Sequence, residues 1–257
     1  RDLHFTIHSF PPRRSSDLNL RRLILLTAAR GQLVSHEEAN GSAEEVFLRA
    51  IEEKKALSEE GLIPKPKKLS PISEKEIPFR LPNSWKWVRL ESICNYIVDC
   101  PHRTPKYSSD GYPAIRTSEM TPGKILIEKA RKVSKEEYDK QTQRLVPKPG
   151  DIFYSREGNF GIAAVVPERV KLCLSQRMMQ FRTASVVDPF YFSLIMNSPV
   201  IFDQAARDAL GMTVPHINIR SLKQFVFPLA PLEEQKRIVA KVNELMKICD
   251  RVEENLR

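Results

Sequence analysis

The chain has 257 residues, 41% hydrophobic and 28% charged, which suits one large domain or a medium domain with an appendage and is ample to bury a core. Lys and Arg number 41 against 32 Asp and Glu, a net charge of +9 that favours a polyanionic partner. No stretch approaches the roughly 18 apolar residues of a membrane span. Cys94, Cys100, Cys173 and Cys249 form no C-x-x-C pair or zinc-finger spacing, so neither disulfide framework nor metal is expected, and a cytoplasmic setting is.

Residues 1–17 have no clear periodicity, contain Pro11-Pro12 and lack the apolar core of a signal peptide; they are expected to be a non-native or disordered arm. Residues 18–62 are expected to be helical. Leu18–Arg30 places Leu23, Leu26 and either Ala29 or Arg30 at roughly helical spacing, with Gly31 as the stop. Ser42-Ala43-Glu44-Glu45 is a capping box opening a second helix with Val46, Ala50 and Leu57 on its apolar face and Glu52, Glu53, Lys54 and Lys55 in solvent; Gly61 ends it.

Residues 63–84 form a linker. Pro64, Pro66, Pro71, Pro78 and Pro82 rule out a helix interior, since each lacks an amide donor and clashes with the preceding turn. Trp85 and Trp87 are expected to pin its end onto the next domain. Residues 85–228 then alternate short apolar runs with turns. Strands are expected at Trp87–Leu90, Ala114-Ile115, Ile125–Ile127, Asp151–Tyr154, Ile162–Val166, Met178–Phe181 and Phe225–Phe227, and helices at Lys135–Gln143 and Pro189–Leu210. The class is α+β, flanked by long coiled-coil-forming helices.

Residues 229–257 complete the chain with a long helix. Ile238, Val242, Leu245, Cys249, Val252 and Leu256 recur at alternating steps of four and three, a coiled-coil period that requires a partner helix. Cys249 lies on that seam as a packing residue.

Catalytic patterns are sparse. There is no phosphate-binding loop and no G-x-G pair. Asp188-Pro189 reads as a helix cap followed by proline at the first helical position. Asp99-Cys100-Pro101-His102 lacks further histidines at ligand spacing, and its prolines suggest a rigid exposed loop suited to binding.

Four stretches carry a family resemblance: Asn19–Leu25 with Gly31–Val34; Ile77-Pro78-Phe79 with Leu81-Pro82 and Trp85-Lys86-Trp87; Pro149-Gly150-Asp151-Ile152 with Ser155–Gly158; and Phe227–Ile238, with its proline-rich entry into Glu233-Glu234-Gln235. Over residues 18–257 the chain resembles the specificity subunits of type I restriction–modification systems. The resemblance implies a non-catalytic reader of double-stranded DNA without a cofactor of its own. It also implies methyltransferase partners that bind S-adenosylmethionine and a motor-nuclease (restriction) subunit. Such subunits carry two target-recognition domains; one is present here, so a fragment, or a half-subunit pairing with a second half, is expected.

Reading DNA needs loop side chains for base edges and cations for phosphates. The candidates are His102, Arg103, Thr104, Lys106 and Tyr107; Arg116; Ser155, Arg156 and Asn159; Gln176 and Arg177; and Thr213 and His216. Ile238, Val242, Leu245, Cys249, Val252 and Leu256 are the candidate partner interface. The competing readings are a self-contained methyltransferase or nuclease, against which the missing glycine loop speaks, and a coiled-coil adaptor that never touches DNA.

Overall fold

The computed structural model describes residues 15–37, 41–158, 160–209 and 216–255. Most of the expected arm falls outside them, but residues 15–17 belong to the first turn of α1 (Ser15–Ala29). Gly31 closes α1 at φ +69°, and a Cβ there would lie 2.7 Å from Pro82 Cγ, so both backbone and linker require glycine. The face that α1 buries is Ile24, Ala28 and Ala29. Leu23, expected on that face, is 57% exposed.

The second helix, α2 (Ala43–Glu59), starts where the cap predicts: Ser42 Oγ accepts from the Glu45 amide, and Val46 and Ala50 are buried. Glu53 and Lys54 do not belong to a solvated face. Glu53 accepts from the Ser185 amide at 2.8 Å and from Asn95, while Lys54 donates to the Glu91 carbonyl. Burial pushes the Lys54 ammonium pKa down. Both residues fasten α2 to the central domain.

The linker has one short 3-10 turn, at Glu74–Glu76. Its anchor is Arg89, which sequence reasoning did not single out. Arg89 donates to the carbonyls of Ser70, Pro71 and Gln224 and pairs with Glu76. Trp87 donates to the Phe79 carbonyl at 3.2 Å, with the two rings 5.2 Å apart.

Among the described residues the central domain has these elements in order: β1 (Lys86–Arg89), β2 (Cys94–Asp99), β3 (Tyr107–Ser108), β4 (Tyr112–Ile115), β5 (Met120–Thr121), β6 (Lys124–Ile125), β7 (Arg131–Val133), α3 (Lys135–Gln141), β8 (Ile152–Ser155), β9 (Ala163–Val165), β10 (Cys173–Leu174), β11 (Met178–Thr183), α4 (Pro189–Met196), α5 (Pro199–Asp208), α6 (Ile219–Gln224) and β12 (Val226–Leu229). α7 (Leu232–Asn255) follows. The class is α+β.

β1 and β12 pair antiparallel, Lys86 opposite Leu229, so this region begins and ends side by side. Two four-stranded sheets lie between, ordered β2-β11-β8-β9 and β10-β4-β7-β3. β8 is buried on both faces. Ile152 and Tyr154 enter the main core with α1, α4 and α7, whereas Phe153 enters a second core with Ile115, Leu172 and Leu174. That alternation is the two-residue period of a strand.

Several expectations were coarser than the fold. β2 was not anticipated. The run at Ile125–Ile127 gives only the end of β6 before a 3-10 turn at Ile127–Lys129. The helix expected at Pro189–Leu210 is, over its described residues, two helices, because Pro199 cannot sit in a helix interior and instead begins α5. Asp188 caps α4 as expected, accepting from the Phe190 and Tyr191 amides. α6, capped by Asn218, was missed.

Candidate nucleic-acid interface

β2 and β8 both run antiparallel to β11, so their C-terminal ends meet its N-terminal end. Met178 faces Ser155 and Met179 faces Asp99. The loops 100–106, 156–161 and 175–177 therefore leave one end of one sheet. A short bridge from Glu157 to His216, with the Ile217 amide donating to the Arg156 carbonyl at 2.9 Å, brings a fourth segment there. Strand register gathers three loops distant in sequence, and the bridge adds the fourth. Asn159, Thr213 and Leu256 lie outside the described residues.

Asp99 sits at the centre, and its role was not read from the sequence. One carboxylate oxygen lies 3.0 Å from His102 Nε2 and the other 3.3 Å from Arg156 Nε. Its carbonyl, with that of Cys100, accepts from Arg144, another residue not anticipated. Arg156 emerges at the end of β8 as expected, but its side chain is only 14% exposed and also reaches the Ile217 carbonyl at 3.4 Å. The geometry makes it first an anchor of its loop.

The other candidates differ in exposure and in partners. Arg103 pairs with Glu137 of α3 at 2.8 Å, and Arg177 with Glu157 at 3.6 Å. Thr104 donates to Gln176, joining two loops. Lys106 is exposed. Tyr107 is half-buried on β3, its ring 3.6 Å beneath the Arg131 guanidinium. Arg116 is committed to Glu119 through Nε at 3.0 Å; against burial, its hydrogen bonds and those of Ser118 hold the Glu119 carboxyl below its ordinary range.

Ser155 is corrected from DNA-facing to internal. It is fully buried, and its hydroxyl accepts from the Ile162 amide, closing the base of the 156–161 loop. Cys100 is likewise buried, and burial pushes its thiol pKa up, so it packs and is a poor nucleophile.

Part of the α7 seam is covered within the chain itself. Ile238, Val242 and Cys249 are buried in the main core, and α1 lies antiparallel beside α7, with Arg21 paired to Asp250 at 2.8 Å and to Glu253 at 3.5 Å. Leu245 is half-buried, and Val252 remains exposed next to exposed Ile248.

An α+β domain that gathers loops and cations at one sheet end, tethered to a helix pair, has the build of a recognition module. The family described as type I restriction modification DNA specificity domain matches residues 82–257, and the chain belongs to it. It is 29% identical over 239 residues to the type I restriction enzyme EcoAI specificity subunit of Escherichia coli, covering 91% of this chain and 40% of that one. It is also 29% identical over 259 residues to the EcoEI specificity subunit of the same organism, covering 93% and 42%. The chain thus spans about two fifths of the length of these relatives. The HsdS subunit from Thermoanaerobacter tengcongensis shares the fold at a TM-score of 0.52 and 20% identity, over 84% of this chain and 47% of that one. The family is described by DNA specificity, and these relatives are named as specificity subunits. Among the described residues no helix is long and apolar enough to cross a membrane.

Proposed function

We propose that the chain is a sequence-specific reader of double-stranded DNA within a type I restriction–modification complex, contacting one half of a split site. The observation that carries this is the convergence of His102, Arg103, Lys106 and Arg177 at one end of the β2-β11-β8-β9 sheet, exposed and held by strand register. Loops on a rigid sheet can present side chains to base edges, and the net charge of +9 supplies phosphate attraction.

In this reading α1 and α7 form the spacer that sets the distance to a second recognition module and docks methyltransferase subunits, with a motor-nuclease subunit joining for cleavage. The S-adenosylmethionine belongs to the methyltransferase. Supporting this is the apolar edge of Ile248 and Val252 left on α7.

The test is binding of labelled duplexes by the purified chain. Affinity should fall steeply between about 50 and 200 mM salt as phosphate contacts release counterions, and one sequence should be enriched from a random pool. Absence of duplex binding even at low salt would favour a coiled-coil adaptor without DNA contact. Methyl transfer or cleavage by the chain alone would show an enzyme.

A further inference from the structure

We infer that Asp99, Glu137 and Glu157 are positioning residues, which hold His102, Arg103 and Arg177 in a fixed array for base edges. This rests on the DNA-reading function above. In each pair the carboxylate is the sheltered partner: side-chain exposures are 61% for His102 against 12% for Asp99, 41% for Arg103 against 5% for Glu137, and 54% for Arg177 against 26% for Glu157. The same asymmetry occurs in His36–Glu234, at 38% and 1%, so it marks a fixed pair and not by itself a reading one; pairs on open surface lack it. In Lys135–Asp139 and Lys236–Glu233 both partners are exposed, at 66% and 55% and at 54% and 59%.

Sheltering a carboxylate costs hydration, so its partner must stay close, while the exposed partner keeps its outer face in water. A single carboxylate cannot occupy all five N–H donors of an arginine, so each arginine retains donors for another molecule. The three carboxylates also stand on fixed elements. Asp99 ends β2, and Glu157 bridges to His216. Glu137 lies in α3, whose start is capped by Ser134, and it accepts from Gln141 at 3.2 Å. This gives α3 a function: it is the platform under the 100–106 loop.

Arg177 is held through its backbone as well. Its φ of +68° is unfavourable for a residue with a Cβ, and the Arg156 amide holds its carbonyl at 3.1 Å. Such strain persists only where the surroundings hold it, and Arg169 shares it at +61°, so here it fixes the loop without itself assigning a role. Arginines ordered before binding lose less rotamer freedom on binding, and carboxylates beside a DNA surface repel phosphate, so the array favours correct sequence over random DNA.

The purified full chain is presented with a randomised duplex pool, and the enriched sequences are compared with those from Glu137→Gln, Glu157→Gln and Arg103→Ala, each checked by thermal melting. Both glutamine variants should bind random duplex at least as tightly as wild type, having lost a negative charge, yet discriminate about tenfold less, in the same direction as Arg103→Ala. A purely structural role would instead lower melting temperature and leave the preferred sequence unchanged. The inference is overturned if both glutamine variants keep the wild-type preference while Arg103→Ala alters it. If the wild-type chain enriches no sequence, the DNA-reading function falls and this inference with it. Glu157, the least sheltered of the three, gives a variant that does not depend on refolding a buried site.

Discussion

Trp85 Nε1 donates to Glu234 Oε1 at 2.7 Å inside the protein, and the same oxygen lies 2.9 Å from His36 Nδ1. This joins the start of β1, the loop after α1 and the base of α7 at one point. The neighbouring Gln235 accepts from the Asp188 amide and donates to the Ala230 carbonyl, both at 2.8 Å. Glu234 and Gln235 are both buried, so the Glu-Glu-Gln run at the start of the helix fixes the joint between α7 and the central domain. Trp85→Phe should cost about 2 kcal/mol in urea unfolding, because it removes a donor from a buried carboxylate. Unchanged stability would make the joint incidental.

Arg89 predicts a pH dependence for the linker. Its hydrogen bonds draw the Glu76 carboxyl from its ordinary 4.5 down to about 2. A carboxyl depressed by folding adds stability that is complete above pH ~4.5 and lost as pH falls toward 2. Glu76 is 41% exposed, so solvent screening reduces the effect to about 1 kcal/mol. Glu76→Gln should therefore flatten the acid limb of the stability curve and change little at neutral pH. Arg89→Ala should cost about 3 kcal/mol at neutral pH and open residues 64–82 to proteases, since it leaves several groups unpaired at once. Resistance of that linker in Arg89→Ala would show that the prolines alone hold it.

What was legible in the sequence was local. The Ser42 cap, the turn before Asp151 and the apolar period of α7 each lie within a few residues and carry their own geometry. β2 was not legible, because Cys94–Asp99 mixes polar and apolar residues and becomes a strand by pairing with β11 far along the chain. Glu53 looked solvated because its partners, Asn95 and Ser185, are remote in sequence. The site divided in the same way: loop residues were visible as polar, but the pairs Asp99–Arg156 and Arg103–Glu137 depend on strand register and on where α3 lands. The split between α4 and α5 was different, since Pro199 announces it locally.

Partner docking is expected to depend on the exposed later turns of α7 and not on the buried start of its apolar period. Val242 is buried with Ile238 in the core shared with α4, so Val242→Asp should unfold the chain and not merely weaken assembly, at a cost of about 3 kcal/mol or more. Ile248→Asp with Val252→Asp lies on exposed positions and should leave melting nearly unchanged while abolishing co-purification with the methyltransferase subunit or a second recognition module. Full assembly by that double variant would move the docking surface off α7.

Arg156 and Lys106 should separate anchoring and reading from simple attraction. Arg156 is largely buried, shares Asp99 with His102 and reaches the Ile217 carbonyl, so Arg156→Ala leaves a sheltered carboxylate one partner short and frees the 156–161 loop. It should lower stability by about 1–3 kcal/mol and blur recognition at one or more base positions. Arg156→Lys should restore little, because a point charge cannot hold Asp99 and the Ile217 carbonyl with one planar fork. Lys106 is exposed and offers only charge. Lys106→Ala should weaken all duplexes alike, lower the salt slope by about one unit and keep the preferred sequence. Measuring both variants against a set of single-base changes at two salt concentrations decides the roles. An Arg156→Ala protein with unchanged base preference would confine that arginine to stability, and a Lys106→Ala protein with altered preference would make the lysine a reader.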